Sequence, residues 1–289
     1  METRVSSATK EVIIGHNRPT VLIGERINPT GKQKLADTLK AGNLEIVCKE
    51  ALAQAQAGAD ILDVNVSTFG VDEVALLPRA VQAVLDTVDI PLCLDSANPE
   101  SLEAALKVYK GKPLINSVTG EERSLARILP LVKEYGAAVI GLVQDDEGIP
   151  KDDERRVAIA HKIVGRAEAA GIPRQDIIID CLALAIGADT KSGLVTIETI
   201  QRVKAELGVN TVLGVSNISF GLPDRDLLNS AFVAIAIAAG VTCLVVDVAK
   251  VRSTALTADL VLGKDEHARR YIKAYRQSQK PQERDFSLK

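Results

Sequence analysis

Eight short apolar runs recur along the chain: TVLIGER (20–26), DILDVNV (60–66), IPLCLDS (90–96), PLINSV (113–118), AAVIGLV (137–143), IIIDCLA (177–183), NTVLGVS (210–216) and TCLVVDV (242–248). They are rich in β-branched residues, and nearly continuous apolar character marks a strand buried on both faces of a parallel sheet. Between them lie segments with helical spacing. Residues 43–58 carry Leu44, Val47, Leu52 and Ala55, and 73–88 carry Val74, Leu77, Val81 and Val84; 99–110, 121–135, 152–171, 192–208 and 225–240 continue the alternation. Pro99 follows Asn98 and Pro223 precedes Asp224, as expected where loops turn into helices.

Eight strand-helix units in succession, with no Gly/Ser linker between them, predict an α/β fold with one closed (β/α)8 TIM barrel, because right-handed crossovers of this number close the sheet. The length of 289 residues suits it. An open doubly wound sheet is the alternative, but the glycine fingerprint GxGxxG follows none of the eight runs. The expected organisation is an N-terminal extension over 1–19, the barrel over 20–265, and a C-terminal helix with a polar tail over 266–289. Closing helices are expected over 253–263 and 266–278, and the tail QSQKPQERDFSLK is expected to fray.

Composition removes several classes of function. With 46% hydrophobic and 25% charged residues the chain reads as globular. A net charge of −3 gives nucleic acid no electrostatic attraction. Cys48, Cys93, Cys181 and Cys243 are widely spaced, as are His16, His161 and His267, with no CxxC or HExxH to hold zinc. Neither a signal-peptide apolar region nor a membrane-length apolar run occurs, so a cytoplasmic protein without membrane partners is expected.

One stretch imitates a phosphate loop. VLIGERINPTGK (21–32) ends an apolar run in Gly-Lys, yet six residues separate Gly24 from Gly31 where a P-loop needs four, and Gln33 follows Lys32 where Ser or Thr is required. Pro29 also lacks the N–H such a loop donates. The stretch instead reads as the first strand and its loop, with Glu25 and Arg26 held in structural pairings and Asn28 near a ligand.

Barrel sites lie at the C-terminal ends of the strands. The polar residues there are Glu25, Arg26 and Asn28; Asp63 and Asn65; Asp95, Ser96 and Asn98; Asn116 and Ser117; Gln144 and Asp145; Asp180; Ser216 and Asn217; and Asp247. A single Asp or Asn after a strand serves equally as a helix cap or turn, which applies to Asn98, Asp145 and Asp247. Asp63, Asp95 and Asp180 follow apolar residues and have no charged neighbour in sequence, so their convergence at one mouth favours binding. Carboxylates and carboxamides suit a heterocycle with ring N–H and exocyclic NH2 groups, and a pterin has that edge. A divalent metal competes for clustered aspartates, but the Asn and Ser supply and the lack of a close DxD or ExD pair at any one strand end argue against it.

Six motifs in order, Gly24-Glu-Arg-Ile-Asn-Pro-Thr-Gly31, Leu62-Asp-Val-Asn-Val66, Cys93-Leu-Asp-Ser96, Ile115-Asn-Ser117, Ile179-Asp180 and Gly214-Val-Ser-Asn-Ile-Ser219, together resemble the pterin-binding methyltransferases. That family includes the methyltetrahydrofolate:corrinoid protein methyltransferases and the folate domain of cobalamin-dependent methionine synthase. The resemblance implies a barrel, usually dimeric, that holds tetrahydrofolate or 5-methyltetrahydrofolate while a methyl group moves between N5 and the cobalt of a corrinoid protein. Carried onto this chain, it implies that Asp95, Asn116 and Asp180 bond the pterin ring and that Asn217 reaches N5. Asp63 and Asn65 would line the same pocket, with Ser216 and Arg225 supporting it. Asn28, Ser96 and Phe220 are further possible contacts; Phe220 departs from the polar residue of some members. Asn217 and Asp95 would be the catalytic pair.

The chain lacks an Asp-x-His-x-x-Gly corrinoid motif and a Cys cluster, so cobalamin is expected on a partner corrinoid protein and no metal on this chain. The wording of the first and last motifs leans toward a demethylase component that loads methyl onto tetrahydrofolate; the reverse transfer uses the same pocket. Dihydropteroate synthase is a rival, but it would imply Arg-x-His after the last strand, where this chain reads Val246-Asp-Val-Ala-Lys250 and then Val251-Arg252. A folate-binding protein without turnover is the remaining alternative.

Overall fold

The computed structural model describes residues 1–279, and the polar tail from residue 280 onward lies outside the described residues. Strands β1 (Glu2–Ser6) and β2 (Glu11–Gly15) precede the eight that form the barrel: β3 (Val21–Ile27), β4 (Ile61–Val64), β5 (Leu92–Asp95), β6 (Leu114–Thr119), β7 (Ala138–Leu142), β8 (Ile177–Asp180), β9 (Asn210–Gly214) and β10 (Cys243–Val246). Each barrel strand pairs in parallel with its neighbours, and β10 closes onto β3 through Cys243↔Val21 to Val246↔Gly24. Every apolar run of the sequence is a barrel strand, which makes the fold a closed (β/α)8 barrel and excludes the open sheet.

The helices are α1 (Gln33–Lys40), α2 (Glu45–Ala57), α3 (Glu73–Thr87), α4 (Pro99–Val108), α5 (Glu122–Tyr135), α6 (Asp153–Ala169), α7 (Ser192–Leu207), α8 (Arg225–Ala239), α9 (Val248–Val261) and α10 (Arg269–Ser278). Local chemistry sets several starts. Asp72, Asn98 and Asp152 each accept a backbone N–H of the first helical turn, from Ala75 at 3.2 Å, Glu100 at 3.0 Å and Arg155 at 2.8 Å. Gly58, at φ 94, ends α2 in the left-handed conformation that favours glycine. The apolar helix stripes and the outward strand residues form one continuous layer that includes Leu62, Leu94, Ile115, Ile163, Leu213 and Leu244.

Two elements depart from the sequence reading. Helix α1 fills the loop after β3, where Pro29, Gly31 and a run of polar residues concealed an eight-residue helix. Helix α9 starts at Val248 rather than 253, because Val248 and Val251 continue the β-branched texture of the preceding strand while already buried on the helix.

The first nineteen residues are structured. β1 and β2 form an antiparallel hairpin whose Val5 and Ile14 are fully buried among the inward strand residues Val21, Ile23, Ile61, Cys93, Leu114, Ala138, Ile140, Ile178, Val212 and Cys243. Asn210 at the start of β9 donates to Thr3 Oγ1 at 2.9 Å and to the Ile14 carbonyl at 3.1 Å, tying the hairpin to the N-terminal end of the barrel. With that end capped, the open mouth is the opposite one.

Candidate functional site

Strand alternation builds the site. Side chains two residues apart share a face, so the inward face of each barrel strand continues the apolar interior toward its C-terminal end. There it turns polar: Val21 and Ile23 lead to Glu25, Ile61 leads to Asp63 and Asn65, Cys93 to Asp95, Leu114 to Asn116, and Ile178 to Asp180. An apolar plug therefore carries a polar cap, and the motifs meet because parallel register aligns strand ends: Asp63 pairs with Cys93, and Asp95 with Asn116.

The cap is a connected network. Asn65 donates through Nδ2 to Asp95 Oδ2 at 2.9 Å, while Asn116 donates through Nδ2 to Asp63 Oδ1 at 3.3 Å. Asp63 and Asp95, distant in sequence, come close enough for the charge of one to act on the other. Burial pushes the Asp63 carboxyl well above the usual carboxylate range, reinforced by the Asp95 charge. Burial also raises Asp95, opposed by the bond from Asn65. Asp63 is 2% exposed, so it lies beneath the mouth rather than on it, whereas Asp95 and Asn116 line a cleft of about 400 Å³ with Ser117, Leu142 and Gln144.

Asp180 stands across the barrel on β8. Burial pushes its carboxyl up to about 6, offset in part by the Leu182 N–H, which donates to Asp180 Oδ1 at 2.8 Å. That loop is held from below by Arg156 of α6, which is fully buried. Its guanidinium donates to the carbonyls of Pro150, Cys181 and Leu182 at 3.0, 3.0 and 2.8 Å, and Leu182 itself sits at φ 56. Arg156 escaped the sequence reading inside a charged segment, DDERR. The signal was there: 156, 160, 163 and 167 fall on one face with Ala160, Ile163 and Ala167.

The loop after β9 carries the remaining residues. Ser216 donates to Glu25 Oε1 at 2.6 Å, a bond that opposes the burial raising the Glu25 carboxyl. Arg225 donates to Ser219 Oγ at 3.0 Å and to the Ser216 carbonyl at 2.7 Å, fastening the loop to the start of α8. Asn217 is exposed, and its side chain makes no hydrogen bond among the described residues. Phe220 is 70% exposed on the same loop.

Other candidates are engaged in structure. Ser96 is 1% exposed, with its hydroxyl donating to Glu73 and accepting from the Asn98 N–H at 3.0 Å. Asn28 accepts the Thr30 N–H at 2.9 Å, closing a turn. Asp145 accepts from Arg155 and from the Glu147 N–H. Arg26 pairs with Glu50 at 3.3 Å and Asp247 at 3.6 Å, and Lys32 donates to the Arg26 carbonyl at 2.9 Å, so the lysine that imitated a phosphate loop pins its own strand.

Among the described residues no group of three or more His, Cys, Asp or Glu side chains is arranged to hold a metal ion, and no helix is long and apolar enough to cross a membrane. The strand ends form a hydrogen-bonding mouth whose carboxyls and amides offer both donors and acceptors.

Comparisons with known proteins place the chain in a family. A methylcorrinoid:tetrahydrofolate methyltransferase from Eubacterium limosum is 31% identical over 267 residues, covering 89% of this chain and 96% of that protein. The methionine synthases of Mycobacterium tuberculosis and Mycobacterium leprae are each 32% identical across 86% of this chain, which spans only 22% of their length. Among solved structures, the dihydropteroate synthase of Yersinia pestis aligns with a TM-score of 0.69 at 16% identity, covering 91% of this chain and all of that one. A dihydropteroate synthase from Xanthomonas albilineans, in complex with 7,8-dihydropteroate, aligns at 0.68 and 21%, covering 90% of this chain and 98% of that one. At those identities the structural likeness concerns the fold. The family model for pterin binding enzymes matches residues 24–247, from the glycine opening the first motif to the aspartate after β10, and the chain belongs to that pterin-binding family.

Proposed function

We propose that this chain is a methyltransferase that moves a methyl group from the cobalt of a methylated corrinoid protein to N5 of tetrahydrofolate, as a cytoplasmic component of an anaerobic demethylating system. The observation that carries it is the set of Asp95, Asn116 and Asp180 on neighbouring and facing strands of one mouth, in a chain similar over nearly its whole length to a protein named for this reaction. The direction follows that relative's name, in which the methylcorrinoid is the donor.

Asp95 and Asp180 would accept the ring and exocyclic N–H groups of the pterin, and the Asn116 carboxamide would complement its carbonyl edge. Ionised carboxylates are the stronger acceptors, so tetrahydrofolate binding draws both groups toward the charged form. In the transfer, the N5 lone pair forms the new N–C bond, the cobalt–carbon pair stays with cobalt, and the N5 proton departs. Asn217, exposed and without a side-chain partner among the described residues, can accept that N–H bond and hold N5 in line. No nucleophile of the protein is needed. The chain orients the folate and shields its polar edge, and the partner corrinoid protein docks over the same mouth.

A homodimer is part of this reading. Leu227, Ala231, Ile235 and Ala238 form an exposed stripe along α8, with Leu227 at 65% and Ile235 at 53% exposure, in a position that a second copy could cover.

The decisive experiment incubates the purified protein with tetrahydrofolate and a methylated corrinoid protein, or methylcobalamin, under anaerobic reducing conditions. The expected product is 5-methyltetrahydrofolate with equimolar reduced corrinoid. Tetrahydrofolate binding by calorimetry without product would leave a folate-binding protein and defeat the enzymatic reading; absence of binding would defeat both.

A further inference from the structure

Arg156 is fully buried, yet its guanidinium bonds no carboxylate among the described residues. Besides the three carbonyls it donates to Thr196 Oγ1 at 3.5 Å, and its Nη2 is buried without a partner among the described residues. A buried charge so placed is costly unless an opposite charge or aligned dipoles answer it. One peptide group supplies the link. The Cys181 carbonyl accepts from Arg156 Nη1 at 3.0 Å, and the N–H of the same peptide, that of Leu182, donates to Asp180 Oδ1 at 2.8 Å. This peptide is trans, so its two ends point in opposite directions, the negative end on the cation and the positive end on the anion. Each hydrogen bond therefore polarises the group in the sense that strengthens the other. Leu182 is held at φ 56 by its own carbonyl, which accepts from Arg156 at 2.8 Å and from Thr196 Oγ1 at 2.8 Å.

We propose that Arg156 is a positioning residue for Asp180, acting through the Cys181–Leu182 peptide to hold the carboxylate charged and oriented at the mouth. This goes beyond fixing the loop, because the site uses the guanidinium charge as well as its hydrogen bonds. The proposal rests on the reading of Asp180 as a pterin contact, since the ionised group is the stronger acceptor for ring N–H groups. Burial raises the Asp180 carboxyl to about 6, while the Leu182 N–H and the Arg156 charge hold it down. Few other groups face the pair. On the flanking strands Asp180 is paired with Leu142 of β7 and Val212 of β9, both apolar. Burial pushes the neighbouring Cys181 thiol well above its ordinary range, which keeps it neutral. At the start of α6, Asp152 caps the helix through the Arg155 N–H and Asp153 pairs with Arg202 at 2.9 Å.

Charge and hydrogen bonding can be separated by substitution. Arg156→Gln keeps N–H donors for the carbonyls and removes the charge, whereas Arg156→Lys keeps the charge. Carbon-13 titration of aspartate-labelled protein, with Asp180→Asn to assign the signal, should find the Asp180 midpoint raised by roughly one pH unit or more in Arg156→Gln and close to wild type in Arg156→Lys, as expected for a nearby opposite charge. Calorimetry with tetrahydrofolate should show the same division: Arg156→Gln should bind about fivefold or more weakly at pH 6 and return to within about threefold of wild type at pH 8.5, where Asp180 is ionised in both proteins. An unmoved midpoint in Arg156→Gln, or an affinity loss of equal size at both pH values, would make Arg156 purely structural and overturn the proposal. Should that variant not fold, wild type decides: the Leu182 amide and Arg156 Nη resonances should titrate with the Asp180 midpoint, and a lack of that common midpoint would overturn it. The carboxyl titration needs no ligand, so its failure sinks the role of Arg156 alone, whereas failure of wild type to bind tetrahydrofolate sinks the functional reading.

Discussion

At the scale of single residues, the mouth is costly to the fold. The Asp180 carboxyl is pushed up to about 6 by burial from an ordinary value of 3.8, so between those values the folded protein binds more protons than the unfolded chain. Stability from this group is therefore greatest below about pH 4, falls as pH rises through the window and stays low above about 6; the full change is about 3 kcal/mol by single-site linkage. Asp180→Asn keeps an acceptor for the Leu182 N–H without the charge. It should be more stable than wild type in urea unfolding at pH 7.5 and show no such advantage at pH 4, while binding tetrahydrofolate more weakly at neutral pH; a pH-independent difference would refute the assignment. Most of these residues were legible one at a time, since Asp95, Asn116, Asp180 and Asn217 stand at strand ends in the sequence. What was not legible was depth. Asp63 and Asp95 belong to similar motifs, yet one is covered and the other lines the cleft, because neighbouring strands end at different heights in the barrel.

At the scale of elements, loops are aimed by helices that never touch the mouth. Arg156 reaches from α6 to three carbonyls, two of them in the segment that follows Asp180, and Leu182 is held at φ 56 beside it. Replacing Arg156 with Met removes the donors and leaves those carbonyls buried, so Arg156→Met should lower unfolding free energy by roughly 2–5 kcal/mol. Where the variant folds, tetrahydrofolate affinity should fall as well, since the Asp180 loop is no longer fixed; calorimetry on the folded fraction checks this, and unchanged affinity would limit Arg156 to stability. In sequence Arg156 lies within the charged segment DDERR, and only its position on the helix, on one face with Ala160, Ile163 and Ala167, marks it as buried. Helices α2 to α8 were recognisable from apolar spacing within a few residues of their ends, whereas α1 was hidden by loop-like composition and the start of α9 by β-branched residues.

At the scale of the whole molecule, the barrel is plugged at one end by the N-terminal hairpin and open at the other, and its outer surface carries the apolar stripe of α8. If that stripe joins two copies, Ile235→Glu should convert a dimer to a monomer in sedimentation velocity while leaving the far-ultraviolet circular dichroism unchanged; a wild type that is already monomeric at micromolar concentration would remove the homodimer from the functional reading. The sequence alone determined the eight strands, their order and the closed barrel, because buried parallel strands demand continuous apolar runs and right-handed crossovers leave few ways to arrange them. It also supplied the family's motifs. Only the tertiary structure decided that the first nineteen residues cap the barrel, that Asn116 donates to the covered Asp63, and that Arg156 supports Asp180, because each of these depends on contacts between residues from 25 to more than 200 positions apart in sequence. Local pattern records which residues face inward; distance and burial in the closed barrel determine which of them meet.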